Sequence, residues 1–262
     1  MKYFTVVVFL VAAAAAQAQQ LAVESAKLDV VDAPVLGSGE MEVEFGYQFF
    51  YGEVDDHPLA SVHSHSAGTA HLGITRGISD ALDICLSVCW CEMQEHGAES
   101  HAGAGLGDAG IGVKWQFAEG TQHALALSAM LQSPLGLTYG GGGLVPGAEA
   151  WSVTPALIAG VSAGRLSTAV NFALVLPLDA PALPPMQMTS VAMGWQLTAA
   201  LQPVVEAALA GGVWEKGTTT SISAGALLSL ASGLRITAGL RHVLAGHGVA
   251  EQGGFFRMTS GI

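Results

Sequence analysis

Apolar and polar residues alternate along much of the chain. In the segment 41–49, apolar Met41, Val43, Phe45, Tyr47 and Phe49 are separated by Glu42, Glu44, Gly46 and Gln48. The same period of two recurs in segments 111–117, 191–197 and 234–241. Successive side chains of a β-strand point to opposite faces, so these segments predict strands with one apolar and one polar face.

Twelve segments carry strand patterns, and most have the length of a membrane-crossing strand. They are 41–51, 69–78, 81–92, 107–117, 123–131, 151–159, 165–175, 189–199, 203–213, 219–229, 233–242 and 255–262. A tilted strand needs about 9–11 residues to cross a bilayer, whereas about 5–6 is usual in soluble proteins. An even strand number is typical of bacterial barrels.

The connections between these strands alternate between long and short. The long ones include 52–68, 93–106, 132–150 and 176–188, and the short ones 79–80, 118–122, 160–164, 200–202 and 230–232. Outer-membrane barrels have long external loops and short periplasmic turns, although the link 214–218 is short where a long one is expected. We predict an all-β chain, a transmembrane antiparallel up-and-down β-barrel of about 12 strands.

Composition excludes other classes. Hydrophobic residues make up 51% of the 262 residues and charged residues 11%, with a net charge of -12. Such an acidic chain offers no surface for phosphates, so we expect no nucleic-acid partner. After residue 16 no apolar stretch reaches about 18 residues, which excludes a transmembrane helix bundle.

The N-terminus has the features of a signal peptide. Lys2 is followed by the apolar run 4–16 and the small-x-small sequence of Ala16, Gln17 and Ala18. We predict a signal peptide at 1–18, a periplasmic lead-in at 19–40 and a barrel at 41–262, in the bacterial outer membrane. The expected partners are outer-membrane lipid, the barrel assembly machinery and a small-molecule solute.

Strand parity assigns residues to the lumen. We place there Glu42, Glu44, Lys114, Gln116, Arg165, Asn171, Gln196, Glu206, Arg235 and Arg241. Charges of both signs can pair and close the barrel, or they can line a path.

Cysteines and histidines raise the question of metal binding. Cys85, Cys89 and Cys91 share one parity and face the predicted lumen, either as small filling side chains or, with His71, as a soft-metal site. The first two long loops hold His57, His63, His65, His96 and His101 beside acidic residues. Imidazole and carboxylate suit zinc, copper or nickel, yet a solvated polar loop needs no metal. We predict no cofactor, and no catalytic motif is present.

The segment from Gly105 to Phe117 has a Gly-x-Gly-Asp start and a Lys-aromatic-x-aromatic end. It resembles the outer-membrane transporter family named for the meta-pathway of phenol degradation. The resemblance implies a twelve-stranded barrel that passes small, often apolar or aromatic, solutes. The chain departs from outer-membrane barrels at Ile262, where a terminal aromatic residue is usual.

Three functions follow from these observations. The first is a channel for small, weakly polar or aromatic solutes by passive diffusion, because lumen positions in 123–131, 151–159 and 219–229 are mostly small and uncharged. The alternatives are a metal-binding surface protein that uses the histidine-rich loops and a membrane-embedded lipid-modifying enzyme.

Overall fold

A computed structural model describes residues 32–54, 63–96, 101–134, 150–179, 184–212, 218–230, 233–245 and 250–261. Twelve strands lie within these ranges. They are β1 (Met41–Val54), β2 (His63–Ser79), β3 (Leu82–His96), β4 (His101–Glu119), β5 (His123–Ser133), β6 (Ser152–Ala163), β7 (Leu166–Pro177), β8 (Met186–Trp195), β9 (Leu201–Gly212), β10 (Thr218–Ser229), β11 (Leu234–Ala245) and β12 (Ala250–Gly261). The predicted signal peptide, 1–18, lies outside the described residues.

The strands form one closed antiparallel barrel. Each strand pairs with its neighbours in sequence, and β1 closes the ring by pairing with β12, as in the pair Glu44 and Thr259. The predicted twelve-stranded up-and-down barrel is therefore confirmed. No helix in the described ranges is long and apolar enough to cross a membrane.

The outer face of the barrel is apolar and the inner face is polar or small. On β11, Leu240 is 71% exposed whereas the inward-facing Thr237 is 2% exposed. Large exposed apolar side chains recur at every second position along the strands, for example at Phe45, Leu157 and Met193. On β4 a bulge shifts this alternation between Leu106 and Ile111, which are both exposed. An apolar surface of this extent would be unstable in water, so the exterior is the surface that contacts lipid.

The two ends of the barrel differ. The short-turn end carries the connections 80–81, 120–122, 164–165, 196–200 and 230–233, together with the start of β1 and the end of β12. The two shortest connections, 80–81 and 164–165, have two residues each, and the second contains Gly164, whose φ of 60° is readily adopted by glycine. The opposite end, here the long-loop end, carries the connections 55–62, 97–100, 134–151, 178–185, 213–217 and 246–249. The longest connections of the barrel are among them, and long connections are external in outer-membrane barrels.

Several strands extend farther than the sequence pattern predicts. At the long-loop end β2 starts at His63, β3 ends at His96 and β4 starts at His101, so much of the predicted loops 52–68 and 93–106 is strand. β12 likewise starts at Ala250 rather than at 255. In these extensions the strands still form backbone hydrogen bonds with their neighbours on both sides, although apolar and polar residues no longer alternate. The sequence pattern therefore underestimates the length of these strands.

Candidate solute pathway through the barrel

The barrel interior has two chemically different walls. The wall formed by β1–β4, β11 and β12 carries the ionisable residues Glu42, Glu44, His71, Asp83, Lys114, Arg235, Arg241 and Arg257. The wall formed by β5–β10 carries mostly small or apolar buried residues, among them Ala124, Ala126, Met130, Ile158, Ala169, Ala192, Val204 and Ala210. Its larger buried polar side chains are Gln132, Asn171, Gln202 and Glu206. We call these two walls the polar wall and the small-residue wall.

Glu44 is the centre of the polar wall. Its Oε1 atom lies 2.8 Å from Nε2 of His71 and 3.3 Å from Nε of Arg257. Thr259 Oγ1 donates a longer hydrogen bond of 3.5 Å to the other carboxylate oxygen. Gly46 makes this arrangement possible, because a Cβ atom there would collide with the His71 ring. A carboxylate that is 2% exposed is thus compensated by groups from β2 and β12.

Two further ion pairs lie closer to the short-turn end. Arg235 on β11 pairs with Glu42 on β1. Lys114 on β4 lies 3.5 Å from Asp83 on β3. Acidic and basic side chains of the polar wall therefore neutralise one another, and buried charges are tolerated when they are paired in this way.

Residues 32–37 lie inside the barrel at the short-turn end, against β3–β6, and we call this segment the N-terminal strap. Lys114 Nζ donates a 2.6 Å hydrogen bond to the carbonyl oxygen of Pro34. The backbone N–H of Val35 donates to Gln116 Oε1 at 2.9 Å. The next N–H, of Leu36, donates to Asp83 Oδ1 at 3.1 Å. The polar wall thus holds the strap backbone directly.

The opposite side of the strap is apolar. Ala33 is completely buried in a cluster with Ala124, Ala126 and Ile158 of the small-residue wall. Contacts with both walls narrow the lumen at this end. The prediction that residues 19–40 form a periplasmic lead-in stays a prediction, because 19–31 lie outside the described residues.

Farther from the strap, an aromatic cluster surrounds a buried arginine. The guanidinium carbon of Arg241 lies 5.7 Å from the ring centroid of Phe50 and 5.8 Å from that of Phe255. Its Nε donates a 3.0 Å hydrogen bond to Ser223 Oγ. These distances fit cation–π contact, so the charge is held against two aromatic faces.

Phe255 joins this aromatic cluster to the small-residue wall. Its ring packs against the buried cluster of Ala169, Ala192 and Val204. The ring lies over Gly239, where a Cβ atom would be 2.6 Å from Phe255 Cζ. Glycine at 239 therefore leaves room for an aromatic side chain along the inner wall.

The cysteines lie on the lumen side, with Cys89 3% exposed. The Sγ atoms of Cys89 and Cys91 are 3.8 Å apart, and none of the three cysteines is in a disulfide. A β-bulge in β4 places Gly107 and Asp108 opposite Cys89, at the start of the motif that resembles the phenol-pathway family. Gly107 is required there, because a Cβ atom would collide with Cys89 Sγ.

Most of the residues predicted for the lumen lie on the inner face of a strand. These are Glu42, Glu44, Lys114, Gln116, Asn171, Glu206, Arg235 and Arg241. Two do not. Arg165 is exposed in the β6–β7 turn, and Gln196 follows the end of β8, where its amide donates to Thr198 O. Thr198 Oγ1 accepts the N–H groups of Ala200 and Leu201, and this turn ends the strand earlier than predicted.

The sequence analysis missed several lumen residues that parity could have identified. Asp83 alternates with the half-buried apolar residues Leu82 and Ile84 on β3, and Arg257 alternates with the exposed Phe256 and Met258 on β12. Phe50 could not be assigned to the lumen face from the sequence, because it lies between the aromatic residues Phe49 and Tyr51 and apolar and polar residues do not alternate there. No pattern in the sequence indicates the strap.

The predicted metal-binding histidines are spread over three strands. His63 and His65 belong to β2, His96 to β3 and His101 to β4, whereas His57 lies outside the described residues. Among the residues whose side chains the structure describes, no group of three or more His, Cys, Asp or Glu is placed to hold a metal ion.

A closed barrel with an apolar exterior, short turns at one end and a polar or small-residue lumen defines the chain as a bacterial outer-membrane β-barrel. No protein-family model and no curated protein matches it.

Solved structures share the fold. An outer membrane channel from Pseudomonas putida F1 is similar with a TM-score of 0.72 and 12% identity, over 90% of this chain and 100% of that one. The translocator domain of autotransporter NalP from Neisseria meningitidis has a TM-score of 0.57 and 10% identity, over 86% and 89%. The CymD monoaromatic hydrocarbon channel has a TM-score of 0.50 and 9% identity, over 86% and 88%.

Proposed function

We propose that this protein is an outer-membrane channel that passes small, weakly polar or aromatic solutes by passive diffusion and performs no catalysis. The observation that carries the proposal is the small-residue wall of β5–β10. Most of its buried side chains are alanine, serine, threonine or aliphatic, and these make few hydrogen-bonding demands on a solute. An apolar ring therefore loses little on entering, whereas an ion finds few groups to replace its hydration shell.

The aromatic cluster of Phe50, Phe255 and Arg241 provides a weak binding site for the ring of an aromatic solute. Phe255 lies between the small-residue wall and the guanidinium of Arg241. Aromatic rings prefer offset or edge-to-face contact with other rings, at about 0.5–1.5 kcal/mol beyond simple burial. Such contact is weak enough for release, which passive diffusion requires.

The pairing of charges on the polar wall supports the same solute class. Glu44, Asp83 and Glu42 each have a basic partner within the wall. Paired charges present a small net field to the lumen, so a permeating ion gains little from them. The N-terminal strap narrows the short-turn end and further disfavours large hydrated ions.

The similarity to solved channels is consistent with this proposal but does not choose it. CymD is a monoaromatic hydrocarbon channel, whereas the NalP domain belongs to an autotransporter, and both share the fold. Function depends on the lumen rather than on the barrel. Membership in the family named for the phenol meta-pathway, indicated by the segment from Gly105 to Phe117, is part of the proposal.

The test compares two neighbouring alanines of β9. Ala208 lies on the lumen face and Ala207 is exposed on the outer face. Ala208→Trp should narrow the pathway, whereas Ala207→Trp adds an aromatic ring to the lipid-facing surface. Each variant is expressed in a deletion strain, and the initial uptake of a labelled aromatic growth substrate is measured at limiting concentration.

We expect Ala208→Trp to lower uptake several-fold and Ala207→Trp to leave it at the wild-type rate. A heat-dependent shift on a denaturing gel confirms that both variants are folded. Equal uptake by both folded variants would contradict a pathway along this wall.

A further inference from the structure

Two cysteines of β3 bring their sulfur atoms together on the lumen face. Cys89 and Cys91 are two residues apart in the strand, and their Sγ atoms are 3.8 Å apart. Cys89 is buried, whereas Cys91 is partly exposed. The pair, which we call the dithiol, is therefore set into the wall of the barrel and can be reached from the lumen on the side of Cys91.

The β-bulge in β4 shapes the space around the dithiol. Gly107 and Asp108 together lie opposite Cys89, so two residues of β4 face one residue of β3. A Cβ atom at Gly107 would be 2.3 Å from Cys89 Sγ and 3.1 Å from Cys91 Sγ. Both sulfur atoms therefore occupy the space above a single glycine. Bulges are frequent beside functional sites, where they redirect side chains, and this bulge is an observation independent of the sulfur–sulfur distance.

The groups around the dithiol suit a bound cation. Cys89 Sγ donates a 3.6 Å hydrogen bond to the carbonyl oxygen of Asp108, and Thr69 Oγ1 donates one of 3.9 Å to Cys91 Sγ. The Asp108 side chain is buried beside the dithiol and adds acidic character to the site. A hydroxyl donor remains useful after the thiol has lost its proton, because hydrogen bonds to ionised acceptors are stronger than those to neutral ones.

We propose that Cys89 and Cys91 together bind a divalent thiophilic metal ion, Zn²⁺ or its heavier relative Cd²⁺. Zn–S bonds are about 2.3 Å long and zinc prefers tetrahedral geometry, so two thiolates on one ion lie about 3.8 Å apart. The Sγ atoms of the dithiol already have this separation. Each thiol releases its proton to water as it binds. The divalent ion and two thiolates are then neutral together, which favours a buried position.

A disulfide fits the same geometry less well. An S–S bond is about 2.05 Å long, and the Cα atoms that it joins are usually about 4.4–6.8 Å apart. Residues two apart in an extended strand have Cα atoms about 6.4–6.8 Å apart, at the upper limit of this range. A disulfide would therefore require both sulfur atoms to move and the strand to contract, whereas a metal ion joins the sulfur atoms where they lie.

The site is smaller than the cysteine and histidine pattern of the sequence suggests. His71 is directly opposite Cys89, but its Nε2 atom lies 2.8 Å from Glu44 Oε1 and belongs to the polar wall. Cys85 has its Sγ atom close to Gly112 rather than to Gly107. With two protein ligands the ion keeps positions for water and can exchange with the lumen. Cys85 is a matched control, because it is a cysteine on the same strand and the same face.

The first experiment titrates full-length, tag-free protein, reduced and in detergent, with Cd²⁺. The ultraviolet charge-transfer band between thiolate and metal reports binding. We expect one ion per chain in the wild type and in Cys85→Ser, and excess Zn²⁺ should lower the band by competition. Cys89→Ser and Cys91→Ser should each weaken binding at least about tenfold, because the loss of a residue that only supports a ligand already costs about 10–100-fold.

Alkylation by iodoacetamide, followed by mass spectrometry, gives an independent readout. Cd²⁺ should slow the alkylation of Cys91 at least tenfold in the wild type and leave it unchanged in Cys89→Ser. A heat-dependent gel shift shows that each variant is folded, and an alanine variant replaces any serine variant that is not.

Absence of a saturable site in the wild type would overturn the proposal. So would equal affinity for Cd²⁺ in Cys85→Ser and Cys89→Ser. Neither readout depends on solute transport, so the proposed channel function is tested separately.

Discussion

Replacing Ala33 by Glu should release the N-terminal strap and leave the barrel wall unchanged. Ala33 is completely buried against Ala124, Ala126 and Ile158. A carboxylate at this position would lose its water without gaining a partner from these apolar neighbours, at a cost of several kcal/mol. The strap is held by hydrogen bonds from Lys114 and to Gln116 and Asp83.

The size of the effect follows from these contacts. Each such bond contributes about 0.5–3 kcal/mol, with the larger values for charged partners. A penalty of about 3 kcal/mol therefore equals the loss of one or two bonds. Since about 1.4 kcal/mol corresponds to tenfold in an equilibrium, the ratio of docked to released strap should fall about a hundredfold.

Single-channel recording in planar bilayers measures this change. The wild type should conduct weakly because the strap occupies part of the lumen at the short-turn end, and Ala33→Glu should conduct several times more. Ala33→Ser, which keeps a small side chain, should behave as the wild type. If Ala33→Glu folds and its conductance equals that of the wild type, the strap does not limit the pathway.

Three other predictions concern the barrel itself. Leu240→Arg, on the lipid-facing surface, should lower the free energy of unfolding by about 2–4 kcal/mol, and Leu240→Met should not; refolding into lipid vesicles at graded urea concentrations measures both. Glu44→Gln should destabilise the barrel by about 3–5 kcal/mol, because Arg257 and its neighbours lose a buried counter-charge, and a stable variant in the same assay would contradict the ion-pair assignment. A protease site inserted within 55–62 should be cleaved on intact cells, and one inserted at 164–165 should not; the reverse result would invert the topology.

Strand number and facing were predictable because the barrel imposes one simple rule along most of its length. Each lipid-facing position must be apolar, so parity in segments such as 41–49 and 234–241 identifies the face of every residue. Leu240 and Thr237 lie on the expected faces for this reason.

The requirement for apolar side chains on the outer face applies only within the lipid bilayer. Beyond the bilayer both faces of a strand contact water or polar groups, and His63 to Ala67 therefore carry no alternation although they pair regularly with β1 and β3. At the short-turn end, Arg165 and Gln196 continue the parity of their strands, and the N–H of Gln196 donates to the carbonyl oxygen of Arg165 at 2.8 Å, yet Arg165 lies just before β7 and Gln196 just after β8. Parity alone does not show where a ladder ends.

The contacts inside the lumen were less predictable, because they join residues that are far apart in sequence. Glu42 meets Arg235 only through closure of β1 on β12, which brings β11 nearby. The position of the strap is fixed by hydrogen bonds with Lys114, Gln116 and Asp83. In the sequence these three residues look like any other lumen residues, and nothing indicates that they bind a segment of backbone.

The central claim is that the barrel is a passive route for weakly polar aromatic solutes and not a general porin. The most direct measurement compares a deletion strain with its complemented parent for the initial uptake of two solutes of similar size, a neutral aromatic alcohol and a small sugar, at limiting concentration. We predict that loss of the protein slows uptake of the aromatic alcohol and leaves sugar uptake unchanged. An equal decrease for both solutes, or a decrease for the sugar alone, would contradict the account.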